Sequence, residues 1–121
     1  GGGRRGRRGG GGGGETGRGG RIQGDLTSAT RAKDILAIVE ADADAFDAIH
    51  TATAIHRLAT HGSRDQRDRD DVVRDVRFGT LTTLVDRNLR DMNSQGLANV
   101  AWACARLEFN PGVEVLRTIA G

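Results

Sequence analysis

Residues 94–107, SQGLANVAWACARL, carry more apolar side chains than one face of a helix can hold. On a helical wheel Leu97, Val100, Ala101, Cys104 and Leu107 form one apolar face. Ala98, Trp102, Ala105 and, if the helix continues, Phe109 form a second, leaving only Gln95, Asn99, Ala103 and Arg106 as a narrow strip. A helix that is apolar over most of its circumference must be covered on two sides. A stack of helix pairs meets that demand, because each second helix is sandwiched between its own partner and the next pair. The alanines permit close backbone approach, and the strip is the face left for solvent or a ligand. The expected fold class is therefore all-α, an α-solenoid of helix-turn-helix repeats.

The rest of the chain agrees in period. Residues 31–42 place Ala32, Ile35, Leu36, Ile38 and Val39 at helical spacing, with Ser28 or Thr30 as the expected cap. After an acidic link, Asp47 caps a second helix over 48–61, ended by Gly62 just past its last turn. Residues 63–76 alternate Arg and Asp, a composition expected of a solvated loop in which opposite charges neutralise one another locally. Asp75 caps a third helix, about 76–91, carrying Phe78, Leu81, Leu84, Val85 and Leu89. Asn93 or Ser94 opens a fourth helix to Leu107, and Asn110-Pro111 signals a fifth with Pro at its first position.

Glycine divides the chain. Fourteen of its 19 glycines lie in residues 1–24, where six arginines face a single glutamate. Such a segment has little apolar surface to offset its conformational entropy, so residues 1–27 are expected to be a disordered Gly/Arg-rich tail. Residues 28–121 are then the helical domain, about two and a half helix pairs with a charged insertion at 63–75. Beyond residue 24, twelve Lys/Arg face fifteen Asp/Glu, so the basic character of the whole belongs to the tail. The chain begins with Gly rather than Met and stops within an element, which suggests a fragment of a longer array. Its Arg-rich start lacks the Ser content and amphipathic spacing of a transit peptide. No apolar run approaches the roughly 18 residues of a membrane span.

Residues 46–61, FDAIHTATAIHRLATH, align without a gap on residues 92–107, MNSQGLANVAWACARL, at an offset of 46. Phe46 matches Met92, Asp47 matches Asn93, Ala52 matches Ala98 and Ala59 matches Ala105, an internal repeat of the kind that solenoids carry. The elements Ile35-Leu36, Val39, Phe46, Thr53-Ala54 and His56-Arg57-Leu58-Ala59 also resemble a known pattern. So do Gln95, Leu97-Ala98-Asn99, Trp102-Ala103, Ala105, Leu107 and Pro111. Together they are similar to the repeats of organellar RNA-associated helical proteins. These comprise the octotricopeptide-type arrays, those of FAST-kinase-like, RAP-domain proteins, and the helical domain of RNA-editing substrate-binding complex protein 6. The resemblance spans about 30–121; the Arg/Asp-rich insertion departs from it, and no RAP domain is present. It implies binding of single-stranded organellar transcripts in a mitochondrion or chloroplast, in RNA processing, stability or editing. The acidic balance beyond residue 24 keeps open a protein–protein interaction solenoid within a ribonucleoprotein complex, and a cytoplasmic setting is the alternative location.

Candidate RNA contacts follow from the strip and the tail. Arg57 and Arg106 are phosphate candidates, Asn99 can read a base edge, and Thr53 shares the strip. Arg8 and Arg18 belong to Arg-Gly-Gly triplets, which bind RNA through charge. Trp102 and His56, at matching positions, are expected to pack inward. His50, His56 and His61 are six and five residues apart, unlike ligands on one helical face, and Cys104 lies on another surface, so no metal site is expected. The glycine run lacks the Lys-Ser/Thr of a phosphate loop, and no nucleophile–base set or spaced carboxylate pair is recognisable. The sequence therefore points to a binding scaffold and not an enzyme, with no cofactor and no small-molecule substrate.

Overall fold

The computed structural model describes residues 14–121, which are helical with no strand among them. The helices are α1 (Gly14–Ser28), α2 (Ala32–Asp42), α3 (Ala48–His61), α4 (Gln66–Arg74), α5 (Val76–Asn88), α6 (Ser94–Leu107) and α7 (Val113–Ala120), with single 3-10 turns at Ala43–Ala45 and Leu89–Asp91. Helix α3 is central, flanked by α1 on one side and α6 on the other. Behind this row α2 and α5 pack on each other and on α3, and α7 closes against α6 and the turn after α5. Ile35, Val39, Ile55, Leu58, Phe78, Leu81, Val100 and Leu107 fill the interior.

Local signals fix most boundaries. Asp47 Oδ1 accepts from the His50 N–H at 2.9 Å, while His50 Nδ1 accepts from the Asp47 N–H at 3.1 Å, a reciprocal cap on α3. Asp75 caps α5 and Asn93 caps α6 through the Gly96 N–H, as their sequence positions lead one to expect. Each such cap is worth about 1 kcal/mol.

Several expectations are corrected. Residues 14–27 are not a loose tail: they form most of α1, whose Ile22 and Leu26 are fully buried in the main core. Composition hid this, because two aliphatics one helical turn apart are enough to anchor a helix when a neighbouring face receives them. The expectation for residues 1–13 lies outside the described residues. Ser28 ends α1 instead of capping α2, whose N-cap is Arg31 with no side-chain hydrogen bond. The expected loop at 63–76 contains α4, capped by Asp65 and anchored by the buried Val72; the alternating charges pair at helical spacing, as in Arg64 with Asp68. Gly62 does not adopt a left-handed turn (φ −122°). It is there for space, since a Cβ would sit 2.7 Å from a Val72 methyl and 2.8 Å from the Leu58 carbonyl oxygen. Helix α7 starts after Gly112 (φ 101°), because Asn110 Oδ1 accepts from the Gly112 N–H in a local turn instead of capping at Pro111.

Two measurements check the anchoring of α1. Leu26→Ala is expected to destabilise the fold by about 2–5 kcal/mol in urea unfolding, the range for large-to-small changes at a buried site. In α1 a Cβ at Gly20 or Gly24 would meet no atom within 4 Å. Gly20→Ala and Gly24→Ala are therefore expected to raise the thermal midpoint, each by about 0.5–1 kcal/mol of stability.

Candidate nucleic-acid interface

The row α1–α3–α6 determines which polar side chains reach the surface. Helices α3 and α6 run side by side with their N-terminal turns at the same end, so that Ala48, Ile49, Met92 and Gln95 line one groove. Residues 46 apart meet across this contact. The His56 ring centroid lies 4.8 Å from that of Trp102, with the planes tilted by 36°. Thr53 and Asn99, also 46 apart, line the same groove, whose volume is about 360 Å³. Asn99 Oδ1 accepts from Gln95 Nε2 at 3.1 Å, which leaves the Asn99 amino group free to donate.

The wheel of α6 is rotated from its expected reading. Ala103, assigned to the open strip, is completely buried, and the face of Ala98, Trp102 and Ala105, assigned to the interior, is exposed. Gly96 and Ala103 are the smaller choice for the side that turns toward neighbouring helices. Trp102 keeps 42% of its surface open, with the Arg106 guanidinium carbon 5.8 Å from its ring centroid. This one-turn spacing of Trp and Arg, on a face otherwise made of alanine, was the sequence signal of a surface platform. A core face would have held larger aliphatics.

Arg57 sits elsewhere. Its repeat counterpart is Ala103, and as Ala103 is covered, so Arg57 turns toward α1, donating from Nη2 to the Ala29 carbonyl at 3.1 Å and lying 3.4 Å from His61 Nε2. It is a half-buried tie between α1 and α3, not a surface cation. Thr53 likewise accepts from Gln23 Nε2 of α1 at 3.0 Å while its hydroxyl stays available to the groove. Arg18 is exposed but pairs with Asp42 at 3.1 Å and Asp44 at 3.0 Å, so its guanidinium is already engaged by carboxylates of the chain itself. Arg8 lies outside the described residues. Of the six candidates, the structure brings Thr53, Asn99 and Arg106 onto one surface and removes Arg57 and Arg18 from it. Two members of that surface, His56 and Trp102, were expected inside.

Two side chains bear on other chemistry. His50, buried, accepts at Nδ1 from its own cap and bonds the Gly19 carbonyl through Nε2 at 2.9 Å, which fixes the proton on Nε2 and joins α1 to α3. The Cys104 thiol is pushed up to about 11 by burial, so it stays protonated near neutrality. No group of three His, Cys, Asp or Glu side chains among the described residues is placed to hold a metal ion. Comparison with protein-family models, with curated proteins and with solved structures finds no match for this chain.

The ion pairs of α1 give a pH dependence. Hydrogen bonding and charge from Arg18 hold the Asp44 carboxyl below its ordinary 3.8. Its contribution is thus present above that ordinary value and lost as pH falls through the lowered one. Acidification is expected to lower the amide protection factors of α1 before those of α3, read by hydrogen exchange across residues 19–27 and corrected for the intrinsic rate at each pH. Labelling of Cys104 by a thiol reagent at neutral pH is expected to be slow in the folded chain and fast in denaturant.

Proposed function

We propose that this chain is an RNA-binding helical-repeat scaffold, part of an α-solenoid, that acts in the processing, stability or editing of organellar transcripts and performs no catalysis itself. The observation that carries the reading is the surface cluster of exposed Trp102 and Arg106 beside the half-buried, tilted His56 ring. Single-stranded RNA is recognised by planar side chains and guanidinium groups on which unstacked bases lie, and by amide groups that read base edges. Trp102 with Arg106 supplies the first, and Asn99 and Thr53 one turn away supply the second. Support for the solenoid comes from the row α1–α3–α6, in which equivalent residues of α3 and α6 meet at the 46-residue spacing of the internal repeat. The organellar setting, in a mitochondrion or chloroplast, rests on the resemblance of the repeat sequences.

Trp102 is the chain's only tryptophan, so a stacked base reports on the site directly. Titration with short single-stranded oligouridine is expected to quench its fluorescence, with an affinity that falls as salt rises. Trp102→Ala is expected to weaken binding by about 1–3 kcal/mol. Arg106→Ala should weaken it and flatten the salt dependence by roughly one counterion. Arg57→Ala is expected to lower the unfolding midpoint and leave RNA affinity unchanged. Binding that survives Trp102→Ala intact, or its absence at low salt, overturns the reading.

A further inference from the structure

The groove between the first turns of α3 and α6 has an acceptor at one end and donors at the other. Asp91, just before the Asn93 cap of α6, lines the first end, and its carboxylate makes no ion pair or hydrogen bond among the described residues. Thr53 and Asn99, each six residues beyond the cap of its helix, line the second. The Thr53 oxygen already accepts from Gln23 Nε2, and the Asn99 amide oxygen from Gln95 Nε2. The Thr53 O–H and the Asn99 amino group are what remain for a ligand, and both donate. Helix α6 advances about 9 Å between Asn93 and Asn99, a length that suits a purine hydrogen-bonded at both ends. Between the two ends the floor is Ala48, Ala52 and Gly96, small enough for a flat ring to lie on, and Ile49 stands 64% exposed at the lip. The volume of about 360 Å³ admits a whole nucleobase.

A carboxylate repels phosphate, so its place in an RNA groove has to be explained by what it can accept. Guanine alone of the four bases offers two adjacent donors, N1–H and the N2 amino group, to the two oxygens of one carboxylate. Its other side carries O6 and N7, both acceptors. Uracil would set a carbonyl oxygen against Asp91, and adenine and cytosine would offer it a single amino group. We propose that the groove is a guanine-selective pocket: Asp91 receives N1–H and N2–H, while Thr53 and Asn99 donate to O6 and N7. The inference rests on the RNA reading and adds to it a base identity and a residue, Asp91, that the reading leaves unused. Trp102, one turn beyond Asn99, stacks on any base, so affinity and selectivity have separate sources.

The experiment follows Trp102 fluorescence while the full chain is titrated with the RNA pentamers UUUUU, UUGUU, UUAUU and UUCUU. A fifth pentamer carries inosine at the centre, which lacks only the N2 amino group of guanosine. UUGUU is expected to bind about tenfold tighter than the other three standard pentamers. The inosine pentamer should be about fivefold or more weaker than UUGUU, as one hydrogen bond to a charged group is lost. Asp91 is exposed and caps no helix, so Asp91→Ala should leave the thermal midpoint in place. In that variant guanosine and inosine should bind alike. The proposal is overturned, with the RNA reading intact, if all pentamers quench Trp102 with equal affinity, or if UUAUU or UUCUU matches UUGUU. It is also overturned if inosine binds as well as guanosine. If Asp91→Ala strengthens every pentamer by the same factor and keeps their ratios, Asp91 only repels phosphate and the proposal fails. Should no pentamer bind at low salt, the RNA reading falls and takes this inference with it.

Discussion

The contact of α3 with α6 is the constraint on which the rest of the structure depends. Two helices approach closely only where their facing side chains are small, and here Ala48, Ala52 and Gly96 line the space between them. Close approach fixes the register, and the register brings His56 over Trp102 and Thr53 beside Asn99. The polar and aromatic groups on the outside are therefore consequences of how the alanines and glycine pack on the inside. Phe46 and Met92, both buried and 46 residues apart, lie just before the two helices and enter the same core.

Helix α1 stands to α3 as α3 stands to α6. It covers the flank of α3 that would otherwise expose Arg57, and it does so largely through polar contacts: Gln23 with Thr53, the Gly19 carbonyl with His50, and the Ala29 carbonyl with Arg57. Five of its fifteen residues are glycine, so its intrinsic helix propensity is poor. Its order is tertiary in origin, drawn from Ile22, Leu26 and the arginines that bridge to Asp42. Helix α1 thus covers with largely polar contacts a flank of α3 that would otherwise meet water.

The sequence made individual helices legible because caps and period agreed. Asp47, Asp75 and Asn93 mark helix starts that the structure reproduces, and Gly62 marks an end, though for a steric reason in place of a conformational one. Two things were not legible. Composition masked α1, since average hydrophobicity over a glycine-rich segment says nothing about whether two well-placed aliphatics meet a receptive surface. The rotation of α6 was also hidden, because a wheel with apolar residues on three sides cannot say which two are covered. Ala103 against Ala98 is a choice made by the neighbouring helices and not by hydrophobicity. The candidate site inherited that error. Asn99 and Arg106 were found because they are polar under any rotation, while Trp102 was placed inside because it shares an apolar face with Ala98 and Ala105.

The insertion that separates the two pairs is secured at few points. A Val72 methyl nests where Gly62 lacks a side chain, and Arg69 reaches the Ser63 carbonyl and Glu108, while Arg67, Asp71 and Arg74 face the water. The outer surface of α4 is thus nearly uncoupled from the α3–α6 contact. A protein engineer could graft an epitope or a fluorophore attachment point there, and the scaffold would carry it as a pendant, provided that Gly62, Arg69 and Val72 were left alone.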